Sequence, residues 1–180
     1  MSLLSGKQIY LTGFMATGKS KVGPLLADRL QRLYVDTDDL IVEADGRSIP
    51  EIFEQDGEAA FRQIEHDCVT KASAMSEAVV SLGGGAVTQE GNWEVIRQTG
   101  VCLCFTASQE VIYARVSRSD ERPLLSGLDE DALREKIRRM LSDREPYYSR
   151  ADAYVESVEE RTPDETTELA IEELRKLDTA

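Results

Sequence analysis

Eight residues, GFMATGKS from Gly13 to Ser20, constrain this chain more than any other stretch. They follow the apolar run QIYLT and precede KVGPLLADRLQRL, whose Val22, Leu25, Leu26 and Leu30 recur at helical spacing. The pattern G-x-x-x-x-G-K-[ST] between a strand and a helix describes a phosphate-binding loop. Glycines permit a tight turn that aims backbone N–H groups inward, and the following helix adds the positive end of its dipole. The candidate cradle residues are Gly13, Ala16, Thr17, Gly18, Lys19, Ser20 and Lys21. Lys19 would reach the β- and γ-phosphates of a nucleotide, and the Ser20 hydroxyl would coordinate Mg²⁺. Ala16 occupies the middle of the loop, where no third glycine eases the turn; it fits there with a negative φ.

Four more runs have strand character: LYVDT, AVVSLG, VCLCFTA and AYVES. Between them lie helical segments, among them SIPEIFEQDGEAAFRQIEHDCVTKAS, split by its central DG, and LDEDALREKIRRMLSDREPYYSRA. A closing amphipathic helix follows in TPDETTELAIEELRKL, with Thr162 as N-cap and Pro163 in its first turn. Strands alternating with helices predict parallel βαβ units, the sheet covered on both faces. The 180 residues make one α/β domain with a sizeable core.

A formal net charge of −13 argues against a nucleic-acid partner, which would require a basic face. No apolar run has the length to span a bilayer and no signal-peptide layout is present, so the expected compartment is the cytoplasm. Cys102 and Cys104 alternate within VCLCF and should share a buried face; with Cys68 they form no disulfide framework.

Three clusters of residues can carry chemistry. In LYVDTDDLI, Asp36 and Asp38 stand at i and i+2, and would share a face over the sheet's carboxyl end if the chain stays extended. One acid there can hold Mg²⁺ through water and the other can take a proton from a hydroxyl. The same residues also read as solvated loop acids, with Asp39 capping the next helix. Gly83, Gly84 and Gly85 follow a buried strand and would let a ligand lie on bare backbone, or would simply make a turn. Arg62 has Glu65 three residues on, a pairing that contributes little if exposed. Arg122 sits in the polar loop SRSDERPLLSG, and Arg144 just before a proline expected to end its helix.

Taken in order, GFMATGKS, DTD, FRQIE, GGGAV, RPLL and R-x-P-x-Y resemble the shikimate kinase family, over roughly residues 7–175. The resemblance implies a three-layer α/β/α P-loop kinase fold with a five-stranded parallel sheet in the order 2-3-1-4-5. It implies one kinase domain over 1–180, with substrate-binding helices at about 37–65 and a mobile lid at about 116–129. It implies transfer of the ATP γ-phosphate to the 3-hydroxyl of shikimate, on the route to aromatic amino acids, with ATP and Mg²⁺ required and a monomer expected. By that similarity Lys19, Asp38 and Arg122 are catalytic, and Asp36 supports Mg²⁺ through water beside Ser20. Arg62 and Arg144 grip the substrate carboxylate, Gly83, Gly84 and Gly85 form the pocket floor, and Phe53 and Phe61 wall the ring. Arg115 and the stretch Arg161, Thr162, Pro163 resemble an adenine clamp. Ala16 departs from the glycine common in the family.

Other small-molecule P-loop kinases, for gluconate or nucleotides, fit the loop but not GGGAV and RPLL. A GTPase-like switch would carry N-K-x-D, whereas the single asparagine is Asn92, in GNWEV. His66 has no partner at metal-ligand spacing, and Trp93 reads as a packing residue. The acid-rich LDEDALRE reads as a helix start.

Overall fold

The structure is a computed structural model that describes residues 3–118 and 129–179. Five parallel strands, β1 (Gln8–Gly13), β2 (Leu33–Asp36), β3 (Ala78–Ser81), β4 (Gly100–Thr106) and β5 (Ala153–Glu156), form one sheet in the order β2-β3-β1-β4-β5. All five expected strands are present, in the expected order. β1 pairs with β3 from Ile9 opposite Val79 to Leu11 opposite Ser81, and with β4 from Gln8 opposite Gly100 to Gly13 opposite Phe105. Flanked on both sides, β1 is buried at all six residues, which explains its mostly apolar character, with Gln8 and Thr12 as the buried polar exceptions.

The helices are α1 (Lys19–Leu30), α2 (Thr37–Asp45), α3 (Ile49–Ser73), α4 (Glu90–Thr99), α5 (Gln109–Ser117), α6 (Glu130–Tyr148) and α7 (Pro163–Asp178). Alternation along the strands divides their side chains between two cores. Ile9, Leu11, Val79, Leu103 and Phe105 pack with Val22 and Leu26 of α1 and with Ala170, Ile171 and Leu174 of α7. On the other face Tyr10, Val80, Cys102 and Cys104 meet Val69, Trp93, Ile96, Ile112 and Ile137 from α3 to α6. The two cysteines share a buried face as expected, and Trp93, 1% exposed, is a packing residue. A third cluster of Ile41, Ile52, Phe61 and Cys68 joins α2 to α3.

Local signals fix several helix ends. Thr162 Oγ1 accepts from Glu165 N, and Glu165 reaches back to Thr162 N at 2.8 Å, a capping box with Pro163 at the first position. Asp129 caps α6, with Glu130 and Asp131 in its first turn. Gly57, at φ 79° and ψ 178°, breaks α3 at the expected DG.

Two local expectations fail. β2 ends at Asp36, and Asp38 lies in the first turn of α2, so the two acids do not share a strand face. The cause is Asp36 itself: its carboxylate accepts from Asp38 N at 2.9 Å and starts the helix, taking the capping role expected of Asp39. Pro146 does not end α6, which continues to Tyr148. A proline in the last turn removes one hydrogen bond, whereas Tyr148 is buried and its Oη donates to Gly84 O at 2.8 Å. Among the described residues no helix is long and apolar enough to cross a membrane.

Candidate active site

The sheet order places β1 at the switch point between β3 and β4, and the crevice outside the strands' carboxyl ends there is the natural ligand position. The loop after β1, the turn after β3 and the start of α2 after β2 converge on it. Gly13 is required by close approach: at φ +132°, a Cβ there would lie 2.2 Å from Phe105 O. Thr17 is buried and its Oγ1 donates to Phe14 O at 2.7 Å, bracing the loop. Gly18, at φ +97°, leads into α1, whose first turn carries Lys19 and the exposed Ser20 and Lys21.

Ala16 corrects the sequence expectation: its φ is +62°, not negative. Left-handed backbone costs an alanine about 1–2 kcal/mol, so the surrounding contacts must hold it. One is visible. Arg115 on α5 donates through Nη1 to Ala16 O at 2.8 Å.

Lys19 Nζ donates to Gly13 O at 2.6 Å and to Phe14 O at 3.1 Å. Burial lowers its pKa to about 8, against the pull of nearby negative groups that include Asp38 and Asp36. The neighbouring Cys104 thiol, pushed up by burial to about 12, is neutral at pH 7, so the two carboxylates are the working counter-charges. Burial also raises Asp38, to about 6, helped by Asp36 and Glu65 and opposed by Lys19. Asp38 and Lys19 thus sense one another across the crevice despite the failed strand-face argument.

The turn Gly83–Gly85 ties the acidic and basic groups together. A Cβ on Gly83 would lie 2.8 Å from Asp38 Oδ1 and 3.3 Å from Glu65 Oε1. On Gly84 it would lie 3.1 Å from Arg144 Nη1 and 3.5 Å from Gly13 O. On Gly85 it would lie 2.8 and 2.9 Å from the two Nη atoms of Arg62. Three successive residues without side chains therefore abut two acids, two guanidinium groups and the phosphate loop. An ordinary turn explains none of this crowding.

Each guanidinium is held. Arg62 Nη1 donates to Glu65 Oε2 at 2.7 Å, and Nε and Nη2 reach Glu58 Oε1 at 3.3 and 3.2 Å. The Arg62–Glu65 pair is not of the exposed kind: the two side chains are 19% and 2% exposed. Burial pushes the Glu65 carboxyl up, and Arg62 pulls it back. Arg144 lies over the Phe14 ring, its Cζ 5.4 Å from the centroid. Phe61, buried, packs at a 33° tilt on the exposed Phe53 with centroids 4.4 Å apart, and Arg62 lies 5.2 Å from the Phe61 ring.

Other candidates lie further out. Arg161 is half-buried, donates to Glu156 O at 2.6 Å, and lines a shallow hollow with Val158, Glu160, Glu165, Glu168 and Leu169. Pro163 opens α7 nearby. Arg122, and most of the expected lid at 116–129, fall outside the described residues. Sequence reasoning gave no role to Phe14 or to Tyr148, although Tyr148 ends the R-x-P-x-Y motif, four residues from Arg144 on one helical face; Phe14 gave no signal beyond its place in the loop. A polar cleft of about 540 Å³ around Lys7, Gln8, Arg97 and Gly100 lies at the opposite end of the strands and contains none of these groups.

The family model for shikimate kinase matches residues 15–175. A shikimate kinase from Nostoc punctiforme is 38% identical over 171 residues, covering 95% of this chain and 92% of that one. In the solved structures, a shikimate kinase from Bacteroides thetaiotaomicron superposes with a TM-score of 0.87 at 29% identity, covering 94% and 98% of the two chains. A shikimate kinase from Acinetobacter baumannii in complex with shikimate gives 0.83 at 32% identity, covering 98% and 96%. With the phosphate loop, the acidic helix start and the guanidinium-lined glycine turn in one crevice, the chain belongs to the shikimate kinase family.

Proposed function

We propose that this chain transfers the γ-phosphate of ATP to the 3-hydroxyl of shikimate, giving shikimate 3-phosphate and ADP. The observation that carries the reading is the triple-glycine turn, which sets Asp38, Arg62 and Arg144 against one floor beside the phosphate loop. Shikimate is a small carboxylate bearing hydroxyl groups. The two guanidinium forks suit its acid end, since arginine offers a planar two-point match that lysine lacks. The paired Phe53 and Phe61 give its ring an apolar wall.

In this reading Asp38 orients the acceptor hydroxyl and receives its proton as the oxygen bonds to the γ-phosphorus and the bond to the bridging oxygen of ADP breaks. A carboxylate near 6 is poised for that role at neutral pH. Lys19 exchanges its carbonyl partners for phosphate oxygens, and the loop amides hold the remaining charge. Gly13, Ala16, Thr17, Gly18, Ser20 and Lys21 form that cradle. Arg115, Arg161 and Pro163 face the adenine, and Arg122 enters on the family resemblance alone.

The exposed Ser20 hydroxyl and the Asp36 carboxylate are hard oxygen donors, which fits Mg²⁺. Among the described residues no group of three or more His, Cys, Asp or Glu side chains could hold an ion alone. When bound, Mg²⁺ supplies charge neutralisation at the phosphates. Ser20 would ligate it directly and Asp36 through water. The protein is read as one kinase domain with α2 and the first part of α3, about 37–65, binding shikimate, as a monomer, and as cytoplasmic.

The test is ADP release with Mg·ATP, offering shikimate against other hydroxy acids, gluconate and nucleoside monophosphates. Turnover confined to shikimate is expected. Turnover on a nucleoside monophosphate and none on shikimate would overturn the proposal.

A further inference from the structure

We infer that Arg115 is a positioning residue for the phosphate loop, acting together with Ser157 at the end of β5, apart from any contact with the nucleotide base. Arg115 is half-buried, its side chain 25% exposed, and its guanidinium makes three hydrogen bonds and one ion pair with protein atoms. Nη1 donates to Ala16 O at 2.8 Å and to Ser157 Oγ at 2.9 Å. Nη2 donates to Val158 O at 3.1 Å, and Nε faces Glu159 Oε1 at 3.5 Å. Ser157 is itself fixed: it is 6% exposed, and its N–H donates to Thr106 O at 2.8 Å, at the end of β4. A Cβ on Gly18 would lie 3.8 Å from Ser157 Oγ, so the same serine abuts the loop's second glycine.

The consequence follows from peptide geometry. In a planar trans peptide the C=O of one residue and the N–H of the next point in opposite directions. A guanidinium that holds Ala16 O on the outside of the loop therefore turns the Thr17 N–H to the inside, where an anion would lie. Ala16 sits at φ +62°, a conformation alanine leaves readily, and relaxation to a negative φ would swing the Ala16–Thr17 peptide away and carry the Thr17 donor off the anion. Arg115, by holding Ala16 O, opposes that relaxation. Its edge is engaged in this way while its planar face remains suited to stacking, so an adenine contact and the loop contact are compatible.

This inference rests on the proposed phosphate role of the loop, and the probe is chosen to separate the two. Inorganic tripolyphosphate with Mg²⁺ has no base, so an arginine that only stacks on adenine is irrelevant to it. Calorimetric titration of the intact chain should show Arg115→Lys binding tripolyphosphate about tenfold more weakly than wild type, and Ser157→Ala several-fold more weakly. Ala16→Gly in the Arg115→Lys background should restore a good part of the loss, because glycine keeps the left-handed conformation without support. In turnover, KM for ATP should rise while KM for shikimate stays within twofold, and thermal unfolding should show each variant folded. Equal tripolyphosphate affinity in wild type and both variants would overturn the inference and leave the phosphate reading intact. A misfolded Arg115→Lys variant shifts the decision to Ser157→Ala, whose unchanged affinity would be equally fatal. Wild type failing to bind tripolyphosphate would remove the phosphate reading and this inference with it.

Discussion

Replacing Asp38 by asparagine should stabilise the protein at alkaline pH while abolishing most of its turnover. Asp38 is raised from 3.8 to about 6, first by burial and then by Asp36 and Glu65, with Lys19 offsetting part of the rise. A carboxyl whose folded pKa is raised favours folding in its protonated form. Its contribution is therefore full below the unfolded value and is lost as pH climbs through the folded one. With 3.8 and about 6 as the two values, the charged form costs folding about 3 kcal/mol at pH 8 and about 1.6 kcal/mol at pH 5. Asparagine keeps the shape and removes the charge, so Asp38→Asn should gain about 1.4 kcal/mol over wild type on going from pH 5 to pH 8. Taking the difference between two pH values cancels whatever the amide does to packing. Urea unfolding of both proteins at both pH values measures it, and similar m-values would make the free energies comparable. In the proposed reaction the same variant loses the proton acceptor, a loss of about 10²–10⁴ in kcat. A variant whose stability relative to wild type is the same at pH 5 and pH 8 would show that Asp38 is not held in a crowded acidic crevice.

Ala16→Gly relieves the left-handed strain and should raise stability by about 1 kcal/mol in urea unfolding; a loss would mean that φ +62° is not strained there. Gly85→Ala should fold normally, since φ is an ordinary −102°, yet its Cβ would displace Arg62; KM for shikimate should rise about tenfold with KM for ATP unchanged. Thr162→Ala removes the cap of α7 and should cost about 1 kcal/mol, read as a fall of about 2–4 °C in Tm with unaltered kinetics.

The strands were legible because each is a largely apolar run bounded by turn residues, and β1 and β4 lie in the interior, where the polar Gln8 and Thr12 are buried with their apolar neighbours. The strand–loop–helix context of the candidate cradle was legible because spacing and flanking elements together encode it. What sequence could not supply was side-chain geometry that depends on distant elements. Asp38 was placed on a strand because nothing local says that the Asp36 carboxylate will turn back to cap α2. Pro146 was read as a stop because the opposing force, Tyr148 anchored on Gly84, lies some sixty residues away in sequence. Whether the Arg62–Glu65 pair is exposed was left open because the cover of Glu65 is the turn after β3. Ala16 was given a negative φ because the guanidinium that holds its carbonyl comes from α5, ninety-nine positions along the chain.

The central position of β1 has a consequence for how damage to this protein shows itself. A strand with neighbours on both edges opens only when the whole sheet does, so its amide protons should exchange with solvent at the rate of global unfolding. The turn rooted in that strand then has no private route to disorder at its base. Mutations that weaken remote parts of the molecule, such as the outer face of α7, should lower the yield of active protein in a cell and leave the nucleotide affinity of each surviving molecule untouched.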